Sequence, residues 1–236
     1  GEFALPEAVS VPFHGTPESL DAPRDPEIPA VVLFTSGTTG APEPIPKTLR
    51  QLDREVAALN ALWGARAGNC VVLASVPHQH MYGLPFKILW SLSRGAPFHT
   101  GTLVYPEEIA AWLSRVPAVW IASPTILTRL AARLPLGAPS HVPLTFSAGS
   151  PLPFNAAQAW TQFSGRPIVE IYGSSETGAV AWRTQDGGAA PWRPLPGVSV
   201  RSAEEGRLAI RSPWVDPLAY WVSADRGEVF PDGSFS

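Results

Sequence analysis

Short apolar runs alternate with amphipathic segments between residues 30 and 172, and this alternation limits the possible folds more than any other feature. Runs of this length, rich in Val, Ile, Leu and Phe, are typical of buried strands. Strands that alternate with helices predict a mainly parallel sheet covered by helices. The predicted strands are Ala30–Phe34, Val71–Val76, Pro97–Leu103, Ala118–Ala122, Leu144–Ser147 and Pro167–Tyr172.

The segments between these runs predict helices. Thr48 and Gln51 have the spacing of a capping box, which starts a helix, and Gly64 is the predicted C-cap of that helix. The other predicted helices are Leu84–Leu92, Pro106–Arg115, Pro124–Leu134 and Phe154–Phe163.

The pattern changes near residue 180. Short runs separated by Gly, Pro and Asp then follow, at Val198–Arg201, Arg207–Arg211 and Glu228–Phe230, and they indicate antiparallel strands. We therefore predict an α/β fold class, with a mainly parallel sheet covered by helices followed by a smaller antiparallel β subdomain. The predicted divisions are an extended lead-in over 1–29, partly a cloning remnant, an α/β subdomain over 30–185, and a small β subdomain over 186–236.

Composition excludes several functional classes. The net charge of −3 shows no basic excess, which argues against a nucleic-acid partner. Cys70 is the only cysteine, so neither an internal disulfide nor a cysteine-based metal site is expected. No apolar run reaches the roughly 20 residues of a membrane span, and the N-terminus lacks the pattern of a signal peptide. We expect a cytoplasmic protein.

Hydroxyl residues and glycines follow the first predicted strand directly. Glycines let backbone amides converge on one point and hydroxyls add further donors, so this composition favours a phosphate-binding loop. An ordinary Ser/Thr/Gly turn is the alternative. A P-loop NTPase is disfavoured, because the Gly-Lys-Ser/Thr of a Walker A loop does not follow. The residues are Thr35, Ser36, Gly37, Thr38, Thr39 and Gly40.

A second polar segment, Tyr172–Gly178, follows the last predicted strand. Its carboxylate, Glu176, stands among hydroxyls and glycines, an arrangement suited to holding Mg²⁺ beside a triphosphate. Open α/β sheets bind ligands at the carboxyl ends of their strands, where the Tyr172 ring is placed to stack on a purine. The alternative is a capped helix start with Glu176 in its first turn.

In this order, the two motifs resemble the signatures of the ANL superfamily of adenylate-forming enzymes. That superfamily includes acyl- and aryl-CoA synthetases, acyl-AMP ligases and nonribosomal-peptide adenylation domains. Further segments resemble the family's landmarks in sequence order, and the resemblance covers residues 28–236, corresponding to the N-terminal large domain. These segments are Pro77–Gly83, Ser147–Leu152, Gly206–Pro213 and Ser223–Asp225.

The resemblance implies a role for each matching residue. Thr35, Glu176 and His80 would be catalytic, with Glu176 holding Mg²⁺ and Asp225 holding the ribose hydroxyls of the nucleotide. The acid pocket would contain His80, Tyr82, Gly83 and Phe86. ATP or AMP would be bound by Thr35, Ser36, Gly37, Thr38, Thr39, Gly40, Lys47, Ala148, Gly149, Tyr172, Gly173, Ser174, Thr177 and Asp225. Taken singly, His80 also fits a packed core histidine and Asp225 a turn.

The sequence departs from the family pattern beside the phosphate loop. Glu43 stands where the family has a lysine, and the next lysine is Lys47. A carboxylate there repels phosphate unless it points away. Lys47 is therefore expected either to supply the missing charge or to be a solvated lysine at a helix start. The family's C-terminal lid domain, with its own lysine, is also expected to be absent.

The resemblance implies activation of a carboxylic acid, either an aryl or a fatty acid, as acyl-AMP, with ATP and Mg²⁺ as cofactors. Transfer to a thiol, of CoA or of an acyl carrier protein, would follow. The apolar acid pocket is expected to include Trp90 as well. The alternative function is a non-catalytic nucleotide-binding or assembly module with a decayed adenylation site, which Glu43 favours.

Overall fold

The computed structural model describes residues 25–35, 43–131, 141–185 and 190–236. The predictions for Ser36, Gly37, Thr38, Thr39 and Gly40, and for most of the lead-in, lie outside these ranges, as does the side chain of Thr35. The strands are β1 (Pro29–Thr35), β2 (Glu43–Thr48), β3 (Val71–Ala74), β4 (Ala118–Ala122), β5 (Leu144–Ala148), β6 (Val169–Ser174), β7 (Gly178–Thr184), β8 (Arg193–Pro194), β9 (Ser199–Ser202), β10 (Arg207–Ser212) and β11 (Asp216–Arg226). The α-helices are α1 (Leu49–Ala67), α2 (Trp90–Arg94), α3 (Pro106–Leu113), α4 (Pro124–Ala131) and α5 (Phe154–Ser164); a π-helix (Leu84–Leu89) and a 3₁₀ turn (Glu204–Gly206) complete the set.

A six-stranded sheet in the order β3-β4-β5-β6-β7-β8 lies at the centre of the fold. Strands β3 to β6 are parallel, because a helical crossover leads from each of them to the next. Strands β7 and β8 extend the sheet in the antiparallel sense. The prediction of a mainly parallel sheet covered by helices is confirmed.

Both faces of this sheet are buried, which explains why the strands are continuous apolar runs. Every residue of β4 is buried, and its side chains alternate between two cores. Val119 and Ile121 belong to the core under α1, while Ala118 and Trp120 belong to the core under α4 and α5.

A smaller antiparallel sheet, in the order β11-β10-β9, follows the main sheet, as predicted for this part of the chain. Leu208 and Ile210 of β10 pack with Val180 of β7 and with Phe235, so this sheet rests on the main one. Strands β1 and β2 form a separate antiparallel pair that places Thr35 opposite Glu43. The division of the chain at residue 185 stays a prediction.

Some element predictions were wrong in detail. The capping box of Thr48 and Gln51 is present, but Gly68 rather than Gly64 ends α1, because the buried face of the helix continues to Ala67. The segment 97–103 is not a regular strand: it pairs with β3 at the isolated bridge between Val72 and Phe98 and by a hydrogen bond from the Leu103 amide to the Ala74 carbonyl. Two carbonyls between these points accept hydrogen bonds from the Lys87 ammonium.

Another predicted strand, Glu228–Phe230, contributes only the isolated bridge between Val229 and Phe235. Conversely, β2, β7 and β11 are strands that the sequence patterns did not indicate. Strand β2 contains Pro44 and Pro46, which an edge strand of a two-stranded pair accommodates. Among the helices in the described ranges, none has the length and apolar character needed to cross a membrane.

Candidate functional site

Two adjoining clefts open at the carboxyl ends of β5 and β6, the edge where parallel sheets bind ligands. Gly149, just after β5, and Ile171 and Gly173, in β6, line both clefts. Gly149 has a φ of 94°, which a residue with a side chain rarely adopts, so the turn after β5 needs glycine there. Ligands in the two clefts would therefore be immediate neighbours.

The first cleft has a volume of about 220 Å³ and a mainly apolar wall. Its inner wall is aromatic: the Phe86 ring lies 5.1 Å from that of Tyr82 and 5.2 Å from that of Phe146, both edge to face. His80 is exposed at this cleft, and its Nδ1 accepts a hydrogen bond from the Tyr82 amide (3.3 Å). The lining residues are His80, Met81, Tyr82, Phe86, Ala148, Gly149, Ile171, Gly173, Ser174, Ser175, Gly178 and Ala179.

The second cleft has a volume of about 430 Å³, and its lining includes three charged residues. Tyr172 Oη donates a hydrogen bond of 2.6 Å to Asp225 Oδ2 across this cleft, so the structure brings these two predicted residues together. Burial raises the pKa of Tyr172 above its ordinary range, and the Asp225 hydrogen bond adds to this, so the phenol remains a donor. The lining residues are Gly149, Ser150, Pro151, Glu170, Ile171, Tyr172, Gly173, Arg183, Trp192 and Asp225.

A charged pair in the second cleft was not identified from the sequence. Glu170 is buried and accepts a hydrogen bond from Arg183 Nε at 2.8 Å, while the guanidinium lies 4.2 Å from the centre of the Trp192 ring. Glu170 also accepts a hydrogen bond from the amide of Leu152 (3.2 Å). The signal available in the sequence was a carboxylate within an apolar strand. A buried carboxylate of this kind needs a partner on the neighbouring strand, so it indicates a charged pair.

The turn between β6 and β7 carries Glu176, which is half-buried. Ser174 and Thr177 brace this turn by reciprocal hydrogen bonds, from the Ser174 amide to Thr177 Oγ1 (3.0 Å) and from the Thr177 amide to Ser174 Oγ (3.3 Å). Thr177 is thus a buried turn residue that lines neither cleft. The segment is a strand-to-strand turn and not a helix start.

Lys47 lies beneath this turn and is not solvated. Its side chain is buried, and Nζ donates a hydrogen bond of 2.6 Å to the backbone carbonyl of Glu176. Glu55 of α1 is also buried, and its Oε1 accepts a hydrogen bond from the Ala179 amide at 2.8 Å. Burial lowers the pKa of Lys47 and raises that of Glu55 to about 7, while the attraction between the two charges opposes both shifts.

The free energy of unfolding should therefore depend on pH through Glu55. Its folded pKa of about 7 exceeds the ordinary 4.5, so protonation of Glu55 favours the folded state. The stability that this protonation provides is fully present below pH 4.5 and is lost as the pH rises through 7. We expect the difference in unfolding free energy between the wild type and Glu55→Gln to fall by about 3 kcal/mol from pH 4.5 to 8. Urea unfolding without divalent cations measures it, with Lys47 and Glu176 unchanged in both proteins. A constant difference would contradict the burial of this carboxylate.

Gly173 should tolerate no side chain. A Cβ there would lie 2.0 Å from the carbonyl oxygen of Gly178, a backbone atom of the paired strand. We expect Gly173→Ala to destabilise the protein by about 1–3 kcal/mol, because the turn must shift. Thermal unfolding tests this against Gly64→Ala, whose Cβ meets only the movable Asn60 side chain within α1 and which should be neutral or stabilising. Equal effects of the two substitutions would contradict the prediction.

Two members of the predicted acid pocket lie elsewhere. Gly83 approaches the Pro77 backbone, where a Cβ would lie 2.0 Å from the carbonyl oxygen, and it does not line the cleft. Trp90 is fully buried in the core behind the cleft. His80, Tyr82, Phe86, Ala148, Gly149, Gly173 and Ser174 line the first cleft, and Gly149, Tyr172, Gly173 and Asp225 line the second.

Comparisons with known proteins identify the family of the chain. A family model described as AMP-binding enzyme matches residues 4–215. The 4-coumarate–CoA ligase of Rhodobacter capsulatus is 32% identical over 205 residues, which are 83% of this chain and 52% of that protein. The 4-chlorobenzoate–CoA ligase of an Arthrobacter species is 30% identical over 178 residues, covering 73% of this chain and 34% of that protein.

Solved structures share the fold. A malonyl-CoA ligase in a ternary product complex with methylmalonyl-CoA and AMP has a TM-score of 0.76 and 27% identity, over 89% of this chain and 52% of its own. The chain spans about a third to a half of the length of the curated relatives it matches. Since the family model covers most of the sequence, the chain belongs to the AMP-binding enzyme family, within the ANL superfamily of adenylate-forming enzymes.

Proposed function

We propose that this chain binds ATP and a carboxylic acid in the two adjoining clefts and takes part in forming an acyl-AMP. The observation that supports this most is the shared wall of Gly149, Ile171 and Gly173. Two reactants held in neighbouring clefts react as if within one molecule, which lowers the barrier without any covalent contribution from the protein.

The second cleft would hold the nucleoside. Tyr172 offers an aromatic face beside Gly149, and Asp225 offers a carboxylate to the ribose hydroxyls. Residues 35–40, by their composition, would hold the β- and γ-phosphates. Among the described residues, Glu176 would hold Mg²⁺, which when bound offsets charge on the phosphates. A single half-buried carboxylate suits this role, because protein-bound Mg²⁺ commonly takes one or two carboxylates and completes its shell with phosphate oxygens and water.

The first cleft would hold the acid. Its wall combines His80 with Met81, Tyr82 and Phe86, and no lysine or arginine lines it in the part of the chain that the structure describes. Such a wall favours an acid whose body is apolar and compact, with no second carboxylate to neutralise. An aryl acid fits better than a long fatty acid, because the aromatic stack behind Phe86 closes the inner end.

The ionised carboxylate oxygen of the acid would attack the α-phosphorus of ATP, forming the O–P bond of the acyl-AMP as the bond to the pyrophosphate leaving group breaks. A thiol sulfur would then attack the acyl carbon, and AMP would leave. The relatives are named as CoA ligases, which supports CoA as the acceptor more than an acyl carrier protein. Isothermal titration with Mg·ATP tests the nucleotide site, and an ATP–pyrophosphate exchange screen of monocarboxylic acids identifies the acid. Failure to bind Mg·ATP would contradict the proposal.

A non-catalytic module with a decayed site is the second candidate, and Glu43 is the observation that favours it. Glu43 begins β2 opposite Thr35 and is exposed, so a carboxylate stands beside the predicted phosphate loop. In that case nucleotide binding would not depend on Glu176, and a Glu176→Ala variant would bind ATP as the wild type does.

A further inference from the structure

Two buried charges lie behind the candidate nucleotide site without lining either cleft. Lys47, in β2, is 3% exposed, and Glu55, in the second turn of α1, is 1% exposed. Buried charges are costly unless they are paired and hydrogen-bonded, so a charged pair here needs contacts that satisfy it.

Both charges bind the backbone of the same turn. Lys47 Nζ donates to the Glu176 carbonyl at 2.6 Å, and Glu55 Oε1 accepts from the Ala179 amide at 2.8 Å. The Glu55 carboxylate also lies against Gly178, where a Cβ would come within 2.8 Å of Oε1. The two groups therefore hold the start and the end of residues 176–179.

The same turn is braced from within by Ser174 and Thr177. Its backbone is thus fixed at several points. Charge-assisted hydrogen bonds, such as that of Lys47 and, above its pKa of about 7, that of Glu55, are about twice as strong as neutral ones. What remains free to meet a ligand is the side chain of Glu176, which has no hydrogen bond or ion pair to another described residue in the structure.

We propose that Lys47 and Glu55 form a charge clamp that positions the carboxylate of Glu176 for metal-bound nucleotide. This rests on the proposed function of the site. The hydrogen bonds of the clamp are to the backbone, and the Lys47 charge also attracts the Glu176 carboxylate. Lys47 and Glu55 are therefore positioning residues rather than catalytic ones. In this clamp, Lys47 does not replace the lysine that the family has beside the phosphate loop, a position that Glu43 occupies in this chain.

The chain offers a matched control, because its only other lysine, Lys87, is also fully buried and also donates to backbone carbonyls, those of Thr100 and Gly101. We compare Lys47→Met with Lys87→Met for unfolding free energy, for adenosine affinity, and for the gain in ATP affinity that Mg²⁺ gives over EDTA. Both variants should lose stability and retain adenosine binding. Only Lys47→Met should lose the Mg²⁺-dependent gain, by about 10-fold or more, as when a group that orients a metal ligand is removed.

A Mg²⁺-dependent gain that is the same in Lys47→Met and Lys87→Met would overturn the clamp while leaving the nucleotide site intact. A wild type that binds neither adenosine nor Mg·ATP would instead overturn the proposed function, and the clamp with it. If Lys47→Met does not fold, Glu55→Gln takes its place, because glutamine keeps an acceptor for the Ala179 amide and removes only the charge. At pH 8, where Glu55 is ionised, this variant should lower the gain about 3-fold or more, and an unchanged gain at that pH would overturn the clamp.

Discussion

Replacing Glu176 by glutamine should weaken Mg·ATP binding about 100-fold and leave adenosine binding unchanged. The substitution keeps the size of the side chain and removes the charge that would hold the metal, and even groups one step removed from a metal contribute 10- to 100-fold to its affinity. The turn itself should persist, since its fixed points are the Glu176 carbonyl and the Ser174–Thr177 hydrogen bonds, which the substitution does not touch.

Isothermal titration in the presence and absence of Mg²⁺ measures this effect. Glu228→Gln is the control, because Glu228 is an exposed carboxylate whose backbone pairs with Ser236 and which lies outside the turn between β6 and β7. Mg·ATP affinity that is equal in Glu176→Gln and the wild type would point to the decayed-site alternative.

Replacing Asp225 by alanine should weaken adenosine and Mg·ATP binding alike, by about 10- to 100-fold. A hydrogen bond to a charged group contributes about 1.5–3 kcal/mol, and a ribose hydroxyl bound to this carboxylate would lose it. The loss should not depend on Mg²⁺, which separates the role of Asp225 from that of Glu176.

Tyr172→Phe is the matched variant, because it removes the 2.6 Å hydrogen bond to Asp225 and keeps both the ring and the carboxylate. Its loss of adenosine affinity should be smaller, about 5-fold or less, as expected for one hydrogen bond whose partner stays solvated. Asp225→Ala binding adenosine with wild-type affinity would exclude the second cleft as the nucleoside site.

The parallel part of the fold was predictable because each strand is a continuous apolar run. Strand β4 matches its predicted bounds, Ala118–Ala122, since both of its faces are buried and its ends are polar or small. Strands β7 and β11 were not identified from the sequence, although each pairs with the strand just before it in the chain. In β11 most residues are exposed and only Ser223 is buried, so no periodic apolar pattern marks the strand.

The residues at the candidate clefts could be predicted where they stand in sequence motifs. His80, Tyr172 and Asp225 lie at the clefts, and their types and spacing carried the resemblance. The contributions of Glu55, Glu170 and Arg183 were not predictable, because they depend on contacts between distant segments: Glu55 meets Ala179, 124 positions away. Lys47 was noticed for its charge, but its contact with the Glu176 backbone required the three-dimensional fold.

The affinity for a nonhydrolysable aryl-AMP mimic tests the central claim most directly, because such a compound would fill both clefts at once. When two ligands that occupy adjoining sites are joined, the joined compound binds with an affinity about 10²- to 10⁴-fold higher than either ligand alone, provided that both parts can reach their sites. We predict that isothermal titration will show the mimic binding at least about 100-fold more tightly than adenosine. Binding no tighter than that of adenosine would contradict the claim that the two clefts form one site for acid and nucleotide.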